Sequence, residues 1–249
     1  MKLERPDGHQ LACEHREGVG PGILFLGGFN SNMQGEKALF LDAWCRDTGR
    51  QFTRFDYLGH GQSTGRFEDG TIGRWIEDAL AVLDKVTQGP QVLVGSSMGG
   101  WIMLQLALAR AERLVGLIGI APAPDFTADL REHGLSPEQR LQIELSGSCL
   151  IENCYDDGEP YTISRELLEE GDRHRLLDKE SIPIDLPVRI LHGQSDPDVC
   201  WKHSLVLAEK LRSEDVEIQL VKAGDHRLSR PRDLVRLRSI LESVLGDYG

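Results

Sequence analysis

Nowhere in the 249-residue sequence is there an apolar run near the roughly 20 residues that a membrane-spanning helix needs. Basic charge is in deficit: 28 Lys and Arg stand against 40 Asp and Glu, a net of −12. So acidic a chain repels phosphate backbones and anionic lipid headgroups, which argues against nucleic acid and membrane insertion as partners. Cysteine is sparse. The five residues, Cys13, Cys45, Cys149, Cys154 and Cys200, are odd in number and show neither Cys-x-x-Cys nor Cys/His spacing. That supports neither a disulfide framework nor a zinc site. Cys149 and Cys154 could pair, but reduced thiols are the expectation. The stretch Met1-Lys2-Leu3-Glu4-Arg5-Pro6-Asp7-Gly8 lacks the apolar core of a signal peptide. The expectation is a soluble, cytoplasmic protein. Gly-x-Gly-x-x-Gly is also missing, so Gly27-Gly28 is no dinucleotide fingerprint, and no cofactor or metal is implied.

What is present centres on Gln91-Val92-Leu93-Val94-Gly95-Ser96-Ser97-Met98-Gly99-Gly100-Trp101. An apolar, β-branched run ends in Gly-x-Ser-x-Gly, and a helical pattern begins at once. This is the strand–turn–helix setting of a nucleophile elbow. Ser97 is expected at the tip of a strained turn, where Gly95 and Gly99 have no Cβ to clash. The following helix, Met98 to about Arg110, aims its free N–H groups at the place where an oxyanion would form.

The rest of the chain alternates strands with helices. Pro6-Asp7-Gly8 predicts an antiparallel hairpin at a sheet edge. Strands are expected at Ile23–Leu26, Gln51–Phe55, Leu114–Ile120, Val188–His192 and Val216–Val221. Helices are expected over Gly35–Asp47, Thr71–Thr87, Val199–Arg212 and Arg230–Leu245. Such alternation implies an α/β fold, a mostly parallel sheet with helices on both faces. From Asp125 to about Ile184 the rhythm stops. No strand alternation is visible there, only the helical pieces Glu138–Leu145 and Arg165–Leu177. The expectation is one domain over 1–249, with a helical cap inserted at about 122–185.

Parallel sheets place their sites at the carboxyl ends of the strands. Ser97, Asp196 and His226 each follow such an end, in the chain order Ser, Asp, His of α/β-hydrolase triads. A serine hydroxyl needs a neutral imidazole to take its proton, and the imidazole needs a carboxylate to orient it. The backbone N–H groups of Met98 and Phe29 are the expected oxyanion donors. Asp198 is read as a carboxylate near a helix N-cap, His192 as a satisfied structural histidine and His203 as a helix residue. Asp56, His60 and Ser63 form a polar turn expected to fix loop backbone. Trp101 is expected in the core.

With these residues in place, the sequence resembles the α/β-hydrolase superfamily over essentially its whole length. It is similar in particular to the family of the mitochondrial α/β-hydrolase-domain acyl-protein thioesterase and mycophenolic acid acyl-glucuronide esterase. The residues that carry this are Phe55-Asp56-Tyr57, Gly89-Pro90-Gln91, the elbow from Val94 to Trp101, Leu117-Ile118-Gly119-Ile120-Ala121, Leu191-His192-Gly193 and Asp225-His226-Arg227. The resemblance implies a bacterial-type serine hydrolase of esters or thioesters, with Ser97, Asp196 and His226 as its triad. The implied partner is a small-molecule or acylated substrate, and the chain is expected as a monomer or homodimer. A carbon–carbon bond hydrolase, an amidase on the same triad and a non-catalytic ligand-binding protein of this fold stay open as alternatives.

Overall fold

The Pro6-Asp7-Gly8 turn folds Lys2–Glu4 (β1) back on Gln10–Arg16 (β2) as an antiparallel pair. Gly8 closes the turn at φ +86°, with its N–H on the Arg5 carbonyl. This computed structural model describes residues 1–152 and 160–246. The core then follows as Val19–Leu26 (β3), Glu36–Asp47 (α1), Arg50–Phe55 (β4), Ile72–Lys85 (α2), Gln91–Ser96 (β5), Met98–Ala109 (α3) and Leu114–Ile120 (β6).

Between β6 and the next sheet strand the chain makes a long excursion. It comprises Phe126–Asp129 (α4), Pro137–Ser146 (α5), Ser148–Ile151 (β7), Tyr161–Ser164 (β8) and Arg165–Gly171 (α6). Val188–Gly193 (β9), Lys202–Lys210 (α7), Val216–Val221 (β10) and Pro231–Gly246 (α8) complete the core.

The eight-stranded sheet runs β1-β2-β4-β3-β5-β6-β9-β10. From β4 onward every neighbouring pair is parallel. The central strands carry apolar side chains on both faces. Ile23, Val92, Val94 and Ile118 pack toward α1 and α8, while Leu24, Leu93 and Leu117 pack toward α2 and α3. No helix among the described residues is long and apolar enough to cross a membrane. Cys13, Cys45 and Cys149 are buried free thiols and Cys200 an exposed one; Cys154 lies outside the described residues.

The excursion departs from expectation. It contains strands: β7 and β8 pair antiparallel, Ser148 opposite Ser164 and Ile151 opposite Tyr161. Each has four residues, and apolar Leu150 lies on the exposed face, so too little period-2 contrast exists to see. The helical piece predicted to reach Leu177 ends at Gly171, where α6 gives way to a 3₁₀ turn at Asp172–His174. Helix α7 is shorter than expected because Val199 is held back by Asp196, as described below.

Candidate active site

Ser97 has φ 54° and ψ −120°, a conformation L-residues rarely adopt, costing about 1–3 kcal/mol. Three hydrogen bonds hold it there. Ser97 N–H donates to Ile120 O at 2.9 Å, and Ser97 O accepts from Gly100 N at 2.8 Å and Ala123 N at 3.1 Å. At about 0.5–1.5 kcal/mol each, these bonds are enough to offset the strain. The two flanking glycines are required by close approach. A Cβ on Gly95 would lie 2.4 Å from Gly99 O, and one on Gly99 2.1 Å from Leu26 O.

The turn after β9 and the turn after β10 carry the other two groups. They lock together through Ser195 N–H on Gly224 O at 2.9 Å. His226 Nε2 stands 3.0 Å from Ser97 Oγ, and His226 Nδ1 stands 2.8 Å from Asp196 Oδ2. The three residues singled out in the sequence therefore meet in one hydrogen-bonded line across 129 positions of chain.

Asp196 has no exposed side-chain surface. Its Oδ1 accepts from Asp198 N at 2.8 Å and Val199 N at 2.9 Å. Burial works against its charge. Hydrogen bonds from His192 and His226, the His226 charge and the Val199 N–H outweigh that, and the carboxyl sits well below its usual range. Asp198 is not an N-cap. Helix α7 starts at Lys202 with Trp201 as its cap, because Asp196 already takes the N–H groups of Asp198 and Val199. Asp225, the other acidic neighbour, folds its own loop: it accepts from Leu228 N at 2.9 Å and Arg230 Nη2 at 3.1 Å. His203, in α7 as expected, stands 3.4 Å from Asp129 of the excursion.

Gly28 lies against the elbow; a Cβ there would sit 3.3 Å from both Ser96 O and Ser97 Cβ. That brings the next residue, Phe29, beside Ser97, while Met98 N–H opens α3. Among the described residues neither N–H has a hydrogen-bond partner. Asp56 fixes loop backbone as expected, accepting from Met33 N at 2.6 Å and Gln62 N at 2.8 Å. His60 is buried, its Nδ1–H on Leu58 O at 3.1 Å. Trp101 is fully buried.

Three features had no usable sequence signal. Phe29 is ringed by Phe67, Trp75, Phe126 and Tyr161, with centroids 4.9–5.7 Å from its own. Lys37 Nζ reaches from α1 to Arg227 O at 2.5 Å and steadies the His226 loop. His192 touches Asp196 rather than merely filling the core. All three join residues far apart in the chain or depend on which way a ring turns.

Among the described residues, Asp196, Asp198 and His226 bring ligand-type atoms within 4.8 Å of one another. They are poorly suited to a metal. Both Asp196 oxygens already accept N–H donors, and both His226 nitrogens face Asp196 or Ser97.

Comparison with known proteins agrees with this architecture. Residues 23–153 match the family model described as serine aminopeptidase, S33. The human mitochondrial palmitoyl-protein thioesterase ABHD10 is 38% identical over 98% of this chain and 79% of its own. The solved structure of mouse alpha/beta hydrolase domain-containing protein 10 superposes with a TM-score of 0.91 at 38% identity, covering 100% of this chain and 99% of that one. A putative hydrolase from Agrobacterium vitis gives 0.92 at 41% identity, covering 98% and 97%. The chain belongs to the α/β-hydrolase superfamily, as a serine hydrolase of the family that includes the ABHD10 thioesterases.

Proposed function

We propose that the chain hydrolyses carboxylic esters or acyl thioesters through an acyl-enzyme on Ser97. The observation that carries this is the line Ser97 Oγ–His226 Nε2–His226 Nδ1–Asp196 Oδ2, at 3.0 and 2.8 Å. His226 takes the hydroxyl proton as Oγ attacks the acyl carbonyl, and Asp196 orients the ring and stabilises its charged form. The tetrahedral oxyanion accepts from Met98 N–H and Phe29 N–H, each worth about 3–4 kcal/mol to the transition state. His226 then protonates the departing alcohol or thiol. A water that gives its proton to His226 releases the acid and restores Ser97.

The aromatic ring around Phe29 suits the apolar end of an acyl chain of small to medium length, on a small molecule or an acylated partner. The excursion at about 122–185 acts as the cap of a single domain over 1–249. A monomer or homodimer in the cytoplasm is the setting we favour, with free thiols in keeping with a reducing compartment.

Fluorophosphonate labelling of the native chain and of Ser97→Ala tests the nucleophile. Labelling confined to the native chain supports the reading, and a folded native chain that stays unlabelled ends it. Turnover of aryl esters and acyl thioesters, but not aminoacyl amides, separates the proposed activity from the peptidase chemistry in the family model's name.

A further inference from the structure

Asp196 Oδ2 is approached by two imidazoles. One is His226. The other is His192, on β9, whose side chain is fully buried. His192 Nε2 lies 3.2 Å from Asp196 Oδ2 and 3.1 Å from Val199 O. Both of those atoms only accept, so Nε2 carries the hydrogen. His192 Nδ1 lies 2.7 Å from Oγ of Ser204, a fully buried residue of α7. The Ser204 hydroxyl, able to donate or accept, partners Nδ1 and fixes the plane of the ring. Both nitrogens of the His192 ring thus have partners, and the two acceptors at Nε2 keep a hydrogen there.

We propose that His192 is a positioning residue for the hydrolytic site: locked by Ser204, it donates to the same Asp196 oxygen that orients His226. The inference rests on the triad reading above. Two consequences follow. The first is orientation. The Asp198 and Val199 N–H groups hold Oδ1, and His192 Nε2 adds an anchor at Oδ2, the oxygen that faces His226. That anchor keeps Oδ2 where His226 Nδ1 needs it. The second is charge. Asp196 is buried, and burial alone would favour its protonated form. A donor inside the protein that never competes for the Ser97 proton keeps the carboxylate ionised through the cycle. His192 differs from His226 in its access: a fully buried ring held by Ser204 and Val199 cannot reach substrate.

Three variants separate positioning from packing. His192→Gln keeps an N–H near the position of Nε2. His192→Met keeps similar volume and removes the donor. Ser204→Ala leaves the imidazole and its Nε2 donor but removes the anchor at Nδ1 that holds the ring's orientation. Each is assayed for kcat and KM after active-site titration, with thermal melting to confirm folding. The expected result is a kcat for His192→Met about ten- to hundredfold below the native value, the effect of leaving a buried carboxylate oxygen short of a donor, with KM within about twofold. His192→Gln should recover most of that kcat, and Ser204→Ala should fall between the two. The low-field proton resonance of the His226–Asp196 hydrogen bond should move in His192→Met and in Ser204→Ala.

Equal losses in Gln and Met, or a folded His192→Met with native kcat and an unmoved resonance, overturn the proposal. Should His192→Met prove unfolded, Ser204→Ala decides alone: native kcat and an unmoved resonance overturn it. Ser97→Ala runs alongside. If Ser97→Ala keeps native activity, it is the triad reading that fails; if it is inactive while His192→Met is normal, only the present inference fails.

Discussion

The strand ends of the core and the excursion between β6 and β9 both border Ser97, but they are held by different forces. At the strand ends position comes from backbone. The elbow, the β9 turn and the β10 turn are tied by main-chain bonds such as Ser97 N–H to Ile120 O and Ser195 N–H to Gly224 O, and their register follows from neighbouring parallel strands. The excursion has main-chain bonds to the core at its two ends, Ala123 N–H to Ser97 O and Ile182 N–H to Lys210 O, and between them meets the core through side chains. Asp125 accepts from Leu176 N and Leu177 N at its base, Trp101 Nε1 and Gln105 Nε2 donate to His174 O, and Phe126 packs between Phe29 and Trp101. The difference suggests a division of labour. Backbone geometry defines the chemistry and tolerates little change, whereas side-chain contacts define what sits beside it and can be exchanged one at a time.

Ser97→Ala gives the sharpest test of that division. The alanine removes one oxygen and leaves Ile120, Gly100 and Ala123 bonded as before, so the melting temperature should hold while kcat falls on the order of 10⁴–10⁶-fold. A variant that loses activity only because it unfolds would show that the elbow depends on the hydroxyl itself, and the division would need redrawing.

The core also carries a titratable weak point. His60 is buried against Tyr57, Phe67 and Trp75. Desolvation pushes it down to about 4, only partly opposed by its bond to Leu58 O. The folded value lies below the usual 6.5, so as pH falls the unfolded chain takes up a proton that the folded chain refuses. Stability is full above 6.5 and drains away as pH drops toward 4, by roughly 3 kcal/mol in all. Denaturant titrations at pH 7 and pH 5 should show His60→Gln losing less over that interval than the native chain. Parallel losses would mean that His60 is not what acid attacks.

These contrasts also explain what could be read in the sequence. Ile23–Leu26, Val92–Val94 and Leu114–Ile120 are buried on both faces, and unbroken apolar runs announce that directly. Ser97, Asp196 and His226 were legible because parallel strands deliver their following residues to one edge. The aromatic ring was not legible. Phe29, Phe67, Trp75, Phe126 and Tyr161 come from five separate segments, and nothing local in any of them says that they meet. The β7–β8 hairpin is not legible either, because four-residue strands with Leu150 exposed carry almost no pattern. A structural role for His192 agrees with its burial, but which ring nitrogen faces Asp196 is a matter of rotamer that sequence does not encode.

Phe126→Ala probes the exchangeable side. The ring stands 5.4 Å from Phe29 and 5.8 Å from Trp101, so its loss opens apolar space next to the elbow without touching the hydrogen-bonded line. The ratio of kcat/KM for octanoyl over acetyl esters should rise about tenfold, the scale on which one apolar pocket change discriminates. Acetyl ester turnover itself should stay within about threefold. A variant that loses both equally would show that Phe126 supports the catalytic geometry, and the two regions would not be separable.

The smallest effect is expected at the junction of α6 with α2. Glu170 Oε2 accepts from Gly73 N at 2.8 Å in the first turn of α2, and Oε1 meets His174 Nε2 at 2.5 Å. A side chain on Gly73 would collide with that carboxylate, 2.3 Å from Oε1, so the close approach depends on the glycine. Burial resists the charge on Glu170. His174, the Gly73 N–H and Thr71 outweigh it and hold the carboxyl below its ordinary value, as expected for an anion at a helix N-terminus. A carboxylate with a lowered value stabilises the folded chain above its unfolded pKa and loses that contribution as pH falls through the folded one. Glu170→Gln keeps one acceptor oxygen for the Gly73 N–H, puts an NH2 where the other oxygen stood and removes the charge, so it should cost about 0.5–1 kcal/mol at pH 7. Amide exchange should quicken in α6, whereas α3 and the Ser97 labelling rate should stay native. Exchange that quickens equally in α3 would mean that the excursion and the elbow open together, with side-chain contacts bearing on the catalytic geometry after all.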